Sequence, residues 1–252
     1  MGTAPITARS DQAVHGDDLH LATRNAAALW TALAEARGHA LTRLPGLLAV
    51  HGDDRAGLRV LLLTSAPSAS DVAALTDLVR RRLPGRVVVE DPFGGVDLTG
   101  AGLTRRSLPI MIRRPAPVPP PALAVTLATT PAQLAVAEGL VVHGFPLEPW
   151  QPHRPGEAFP PALLDRPRVG FLVAHRGGTP AGACLTVADD GAGIYWMTTL
   201  PAHRSRGVGR ALLHGALAHL GDRPVTLTAA RAGRPLYDSL GFVPVTDAVW
   251  WS

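Results

Sequence analysis

The sequence predicts an α/β fold of two successive halves, each a twisted mixed sheet flanked by helices. Three observations support this prediction. Segments with helical spacing of apolar residues alternate with short apolar runs typical of strands. Five of the seven residues from 115 to 121 are proline, and such a run excludes helix and sheet interior. Finally, residues 61–67 and 195–201 are similar segments, each followed by a helix pattern.

The elements of the first half follow from apolar spacing. Residues 21–36 and 68–83 predict helices, the second with Ser70 as its N-cap. Four short apolar runs predict strands, at residues 47–50, 58–65, 86–90 and 107–113. This half therefore contributes two helices and four strands to the predicted architecture.

The proline-rich segment gives the predicted domain boundary. Residues 1–114 form the first predicted domain, residues 115–121 an extended linker and residues 122–252 the second domain. We expect the linker to adopt a polyproline conformation without internal hydrogen bonds.

The elements of the second half have clearer end signals. Thr130, Pro131 and Gln133 predict a helix start with a capping box. A helix after residue 207 should end at Leu220, before Gly221. Strands are predicted at 123–128, 169–176, 181–188, 193–201 and 225–230, followed by a short helix at 234–240 and closing strands at 241–252.

A basic, glycine-containing loop follows the strand at 193–201. Its sequence, RSRGVG, places Gly207 and Gly209 where the next helix begins, with arginines on both sides. A helix start exposes unpaired N–H groups and the positive end of the helix dipole. The loop therefore predicts an anion site, and phosphate is the natural ligand.

The spacing of this loop resembles the signature R/Q-x-x-G-x-G/A of the GNAT superfamily, the acyl-CoA-dependent N-acetyltransferases. Arg204, Gly207 and Gly209 occupy its positions, and PLYDSLGF at 235–242 resembles a second motif of that family. The resemblance covers residues 123–252. Together with the internal repeat, it implies two tandem GNAT-like domains, of which the first is a degenerate copy.

The resemblance also implies a reaction and a set of residues. Acetyl-CoA would be the co-substrate, and a primary amine would attack it directly in a ternary complex. Tyr237 would act as the acid that protonates the leaving thiolate. Ala229 and Ala230 stand where many relatives have an asparagine. The cofactor would be held by the backbone of Thr199 and Leu200 and by the loop residues Arg204, Ser205, Arg206, Gly207, Val208, Gly209 and Arg210.

The first half lacks an equivalent anion loop. Its corresponding segment, SAPSASD at 65–71, contains no glycine and places Asp71 at the helix start. A carboxylate there caps its own helix and repels a phosphate. We therefore expect one cofactor site, with the first half serving as a scaffold or as a wall of the acceptor pocket.

The long loop from 143 to 161 is the candidate acceptor region. Glu148, Trp150 and His153, together with Trp196, are the predicted substrate-binding residues. The alternative is that its prolines and aromatic residues only pack the loop onto the sheet. Spacing does not select the general base among Glu148, Glu157, His153 and Asp189, and His143 is expected to be a packing residue.

Composition limits the other possibilities. The net charge is +4 and all 24 basic residues are arginines spread along the chain, which argues against nucleic-acid binding. We expect no metal, no membrane association, a cytoplasmic location and a monomer or homodimer. Cys184 should be a buried, inert thiol. Two alternatives remain: a non-catalytic acyl-CoA sensor, and an enzyme that uses another acyl-CoA.

Overall fold

The computed structural model describes residues 6–145 and 147–252, with side chains from Gly16 onward. Within these residues the helices are α1 (Ile6–Arg37), α2 (Ala69–Arg82), α3 (Pro131–Gly144), α4 (Val208–Leu220) and α5 (Arg234–Asp238). The strands are β1 (Ala40–Leu44), β2 (Leu47–His51), β3 (Leu58–Leu62), β4 (Val87–Asp91), β5 (Arg105–Arg113), β6 (Val125–Leu127), β7 (Val169–Arg176), β8 (Thr179–Ala188), β9 (Ala192–Thr199), β10 (Val225–Thr228) and β11 (Val243–Trp251).

All of these strands form one mixed sheet. Their order is β1-β2-β3-β4-β11-β5-β10-β9-β8-β7-β6. The pairs β3/β4 and β9/β10 are parallel, and the remaining pairs are antiparallel. The predicted α/β class with a mixed sheet and flanking helices is confirmed.

The two halves exchange strands at the centre of the sheet. The last strand, β11, lies between β4 and β5, and β5 in turn pairs with β10 of the second half. Each half thus supplies a strand that the other half needs for a continuous sheet. The division at residues 115–121 remains a prediction, although this segment contains no helix or strand.

The internal repeat is visible as a shared topology. β3, α2 and β4 form a strand–helix–parallel-strand unit, and β9, α4 and β10 form another. The pairing differs between them. β3 and β4 pair from Leu58 to Leu61, whereas β9 and β10 pair only at Ala192 and Gly193.

Helices cover both faces of the sheet. On one face, Leu29 and Leu33 of α1 share a core with Leu134 and Val141 of α3. On the other face, α4 and α5 pack on the second half and α2 packs on the first. No described helix is long and apolar enough to cross a membrane.

The helix starts test the capping predictions. The box at Thr130 and Gln133 is confirmed, with Pro131 as the first residue of α3. The prediction of Ser70 as the N-cap of α2 is wrong, because Ser68 has this role. The Oγ of Ser68 accepts from the Asp71 amide at 3.1 Å, and the Asp71 carboxylate accepts from the Ser68 amide at 3.1 Å. A carboxylate three residues beyond the cap selects Ser68.

Other observed element boundaries differ from the boundaries predicted from the sequence. α1 begins well before residue 21, and β1 was not predicted, because its side chains are half-buried or exposed. The segment at 241–252 forms one strand, β11, rather than several. The predicted strand at 58–65 already ends at Leu62.

Candidate functional site

The site begins where β9 and β10 diverge. These parallel strands pair at Val225–Ala192 and Thr226–Gly193 and then separate. β9 also contains a bulge. Ala183 pairs with Thr198 and Leu185 with Tyr195, so that Trp196 and Met197 both lie opposite one residue of β8. Trp196 has a φ of 46°. The separation leaves a wedge between the two strands that faces the start of α4.

The end of β9 holds the predicted pantetheine-binding residues. The Leu200 amide donates to the Ala181 carbonyl at 2.9 Å, and the Leu200 carbonyl accepts from the His203 amide at 2.9 Å. Both backbone groups of Leu200 are therefore already bonded. The carbonyl of Thr199 accepts from Arg204 Nε at 3.3 Å, which ties the strand to the following loop.

The loop before α4 has backbone amides without an acceptor among the described contacts. Ser205 and Gly207 have φ values of 56° and 79°, so the chain turns twice through the left-handed region before Val208 opens the helix. Gly207 is the N-cap and supplies no side-chain hydrogen bond. Among the described contacts, the amides from 205 to 210 have no acceptor. This arrangement is an anion-binding helix start.

The backbone conformation explains one of the two glycines of the loop. A Cβ on Gly207 would meet nothing within 4 Å, but the positive φ disfavours any side chain. A Cβ on Gly209 would lie 3.5 Å from Thr199 Oγ1 and 3.4 Å from Leu236. These distances are ordinary van der Waals contacts, so the space at Gly209 between β9 and α5 would accept a small side chain.

The arginines of the loop surround it with positive charge. Arg204, Arg206 and Arg210 are exposed. Arg210 donates to Ser239 Oγ at 3.0 Å. An anion at the amides would thus enter a field of favourable sign.

Tyr237 lies on α5, behind the loop. Its side chain is 7 % exposed and its ring contacts Phe242, with centroids 5.8 Å apart. Gly233 makes room for it, because a Cβ there would lie 2.9 Å from the ring. Burial raises the pKa of Tyr237 to about 12, so the phenol stays protonated at neutral pH. Its role as the acid remains a prediction.

The acceptor loop is fixed by a residue that sequence reasoning missed. Glu138 on α3 is fully buried. Its carboxylate accepts from the amides of Gly156 at 2.7 Å, Ala158 at 2.7 Å and Phe159 at 2.9 Å. A lone carboxylate in the otherwise apolar run AVAEGLVV was the available signal.

His153 contacts the same carboxylate. Its Nε2 lies 3.2 Å from Glu138 Oε2, and its ring is 5.8 Å from that of His143. The prediction that His143 is a packing residue is wrong in part. Its Nδ1 is bonded to the Gly139 carbonyl at 2.7 Å, but the side chain is exposed.

Two arginines of the first half contact the acceptor loop. The Arg37 and Arg55 guanidinium groups lie 4.6 Å and 5.1 Å from the Trp150 ring centroid. Arg55 also donates to the Pro149 carbonyl at 2.7 Å and pairs with Glu157. Sequence patterns gave no sign of this contact, since it joins residues about a hundred positions apart.

The remaining predicted residues are dispersed. Trp196 packs against Trp30 and Phe159, with centroids 5.7 Å and 5.4 Å away. Glu148 is exposed in a 3₁₀ turn, and Asp189 pairs with Arg168 at 2.7 Å. His153 and Leu200 do come together, in a cavity of about 350 Å³ that Glu148, Trp150 and Trp196 do not line.

The helix start of α2 in the first half has no room for an anion, in contrast to the helix start of α4 in the second half. The start of α2 is capped by Ser68 and Asp71, and a Cβ on Gly46 would lie 2.6 Å from the Asp71 carboxylate. Asp71 therefore fills the position of an anion. Cys184 is fully buried, as predicted, and burial raises its pKa to about 12. The described residues contain no group of three metal-ligating side chains.

Diverging parallel strands, followed by a glycine loop at an uncapped helix start, form an anion-binding site at the edge of a wedge in the sheet. Residues 167–244 match the family model described as an acetyltransferase (GNAT) domain. These residues therefore form a GNAT domain, and the predicted superfamily is confirmed.

Solved structures agree with this assignment. The fold is similar to that of a GCN5-related N-acetyltransferase from Kribbella flavida, with a TM-score of 0.65 and 18% identity over 91% of this chain and 94% of that one. It is also similar to a tandem GNAT protein from the clavulanic acid biosynthesis pathway, with a TM-score of 0.56 and 17% identity over 84% and 82% of the two chains.

A GNAT-family acetyltransferase from Novosphingobium aromaticivorans gives a TM-score of 0.55 and 18% identity over 84% of this chain and 89% of that one. These similarities show the fold, including its tandem form. A comparison with curated proteins finds no significant sequence match.

Proposed function

We propose that the chain is an N-acetyltransferase that transfers the acetyl group of acetyl-CoA to a primary amine. The observation that carries the proposal is the uncapped start of α4 at Gly207, beside the diverging strands β9 and β10. This feature occurs within the matched GNAT domain.

The residues of the site fit acetyl-CoA. Unpaired amides from 205 to 210 and three exposed arginines suit its pyrophosphate. The wedge between β9 and β10 suits an extended arm with amide groups. When bound, acetyl-CoA would supply an activated thioester.

Groups of the chain itself would bind the cofactor and donate a proton. The amides of the loop would hold the pyrophosphate, and the bulge at Trp196 and Met197 would direct backbone groups toward the wedge. Tyr237 retains its proton at neutral pH because burial raises its pKa to about 12. We propose that the departing sulfur takes up this proton.

Two measurements test the proposal. Calorimetry should detect acetyl-CoA binding to the intact chain, and release of the CoA thiol should depend on an added amine. We propose a small-molecule acceptor, so the panel would contain simple amines, polyamines, amino acids and aminoglycosides. A protein N-terminal peptide would be included for comparison. Binding without thiol release from any of these would favour an acyl-CoA sensor instead.

A further inference from the structure

The bulge of β9 turns two consecutive side chains to the same side of the sheet. In a regular strand, successive side chains point to opposite faces. Tyr195 and Trp196, however, both pack against the core that α1 shares with α3, whereas Met197 packs against the core that contains α4. The bulge accounts for this change, because its extra residue shifts the alternation by one position. The helix α1 of the first half therefore meets β9 at the bulge.

Trp196 has a backbone conformation that needs support from its surroundings. Its φ of 46° lies in the left-handed region, where a bulky side chain is a true outlier. Such a conformation persists only where neighbouring contacts stabilise it. Trp30 of α1 meets the Trp196 ring edge to face, with centroids 5.7 Å apart, and Phe159 of the acceptor loop lies 5.4 Å away. These two rings hold the Trp196 side chain.

Trp30 is itself fixed by strands of the first half. Its side chain is buried, and the guanidinium group of Arg59 on β3 lies 3.9 Å from its ring centroid. Arg59 forms an ion pair with the buried carboxylate of Glu90 on β4. The contacts therefore run without a gap from β3 and β4 to the bulge of β9.

Asn25 of α1 holds the residue that precedes Trp196. The Tyr195 hydroxyl donates to Asn25 Oδ1 at 2.7 Å, and Asn25 Nδ2 donates to the Val187 carbonyl of β8 at 3.1 Å. The amide lies directly against Gly193, where a Cβ would overlap Asn25 Oδ1 and lie 2.6 Å from the Tyr195 ring. Gly193 is the last residue of β9 that pairs with β10. Asn25 therefore lies where the two strands separate.

We infer that Asn25 and Trp30 are positioning residues, through which the first half of the chain holds the bulge of β9 in the geometry that acetyl transfer needs. The inference rests on the proposed function, in which backbone groups of the bulge face the wedge that takes the thioester arm. Asn25 acts through Tyr195, and Trp30 acts through Trp196. The first half is thus part of the catalytic apparatus, although its own helix start at α2 binds no anion.

Asn25→Ala and Tyr195→Phe test the hydrogen bond, because each removes the same one. With the panel amine that releases thiol fastest, each should lower kcat about 10- to 100-fold, since a small displacement at the reacting centre has effects of this size. The double variant should be no slower than the slower single variant, because both changes remove one interaction. The Kd for CoA, measured by calorimetry, should stay the same, since the loop at Gly207 lies outside these contacts.

Thr23→Ala is the matched control for Asn25→Ala. Thr23 is a buried polar residue of the same helix, and its hydroxyl donates to the Leu19 carbonyl within α1 at 2.8 Å. Its replacement should change neither kcat nor the Kd for CoA. A loss of kcat in this variant equal to that in Asn25→Ala would overturn the inference, because any damage to α1 would then have the same effect.

Two substitutions of Trp30 test the aromatic contact. Trp30→Ala should lower kcat, and Trp30→Phe, which keeps a ring beside Trp196, should restore most of the loss. Trp250→Phe is the control, at the other tryptophan near Arg59, and should leave kcat unchanged. If the Trp30→Ala chain does not fold, the Asn25 and Tyr195 variants decide the question.

Hydrogen exchange of residues 193–200, measured without CoA, does not depend on turnover. Exchange in this segment should be faster in Asn25→Ala and Tyr195→Phe than in the unaltered chain, and unchanged in Thr23→Ala. Unchanged exchange in both test variants, or an unchanged kcat, overturns the inference while leaving acetylation intact. Absence of CoA binding to the unaltered chain would instead refute the proposed function itself.

Discussion

The N-cap of α4 allows a substitution pair with opposite effects on stability and binding. Gly207 has a φ of 79° and open space around its Cβ position, and Asn and Asp tolerate that conformation better than other side chains. Gly207→Asn and Gly207→Asp have nearly the same shape and differ in charge. Their comparison therefore isolates electrostatics at the helix start.

The expected magnitudes follow from the position. A negative charge at a helix N-terminus stabilises the fold by about 0.3–1 kcal/mol, which is about 1–4 °C in Tm for a chain of this size. The same charge repels an anion about 5 Å away by about 3 kcal/mol at an effective dielectric constant of about 20. Salt reduces this to about 1–2 kcal/mol, so Asp should bind CoA about 5- to 30-fold more weakly than Asn.

Calorimetry with CoA and thermal unfolding, both at low and high salt, measure the two effects. The reasoning predicts that Gly207→Asp has the higher Tm and the weaker affinity, and that the affinity gap narrows as salt rises. Equal CoA affinity of the two variants at low salt would refute the placement of the pyrophosphate at this helix start.

Three further predictions concern other parts of the molecule. Tyr237→Phe should lower turnover while the Kd for acetyl-CoA, measured by calorimetry, stays the same; unchanged turnover would remove Tyr237 as the acid. Burial raises the pKa of both Cys184 and Tyr237 to about 12. As pH rises, these two groups therefore ionise in the unfolded chain before they ionise in the folded chain. The stability from these groups is complete below about pH 8.5 and is lost as pH rises toward 12, which alkaline unfolding curves should show. Arg55→Met removes the contacts to Pro149 and Glu157 and should raise KM for the amine severalfold without changing CoA affinity, since the acceptor loop loses its anchor.

Local sequence signals predicted the conformation of the loop before α4, whose role in cofactor binding stays a prediction. Gly207 follows from the need for positive φ, and Thr130 with Gln133 follows from hydrogen bonds within one turn. Such features depend on residues close together in the chain. The glycine-free start of α2, with Asp71 in its first turn, was predictable for the same reason.

Features that join distant residues could not be predicted in this way. The exchange of β5 and β11 between the halves depends on which strand edges meet in space. Glu138 gained its role only when the loop from 156 to 159 folded back onto α3. The cation–π contact of Arg55 with Trp150 likewise requires both halves to be folded. The spacing of apolar residues predicts the helix or strand to which a residue belongs, but not the distant residue that it contacts.

The number of CoA molecules bound per chain tests the central claim most directly. The account places one anion-binding helix start at Gly207, in the second half, and closes the equivalent position of the first half with Asp71. Calorimetry should therefore give one CoA per chain, with binding weakened by Gly207→Asp and unaffected by Asp71→Asn. No binding, or two molecules per chain, would contradict the account.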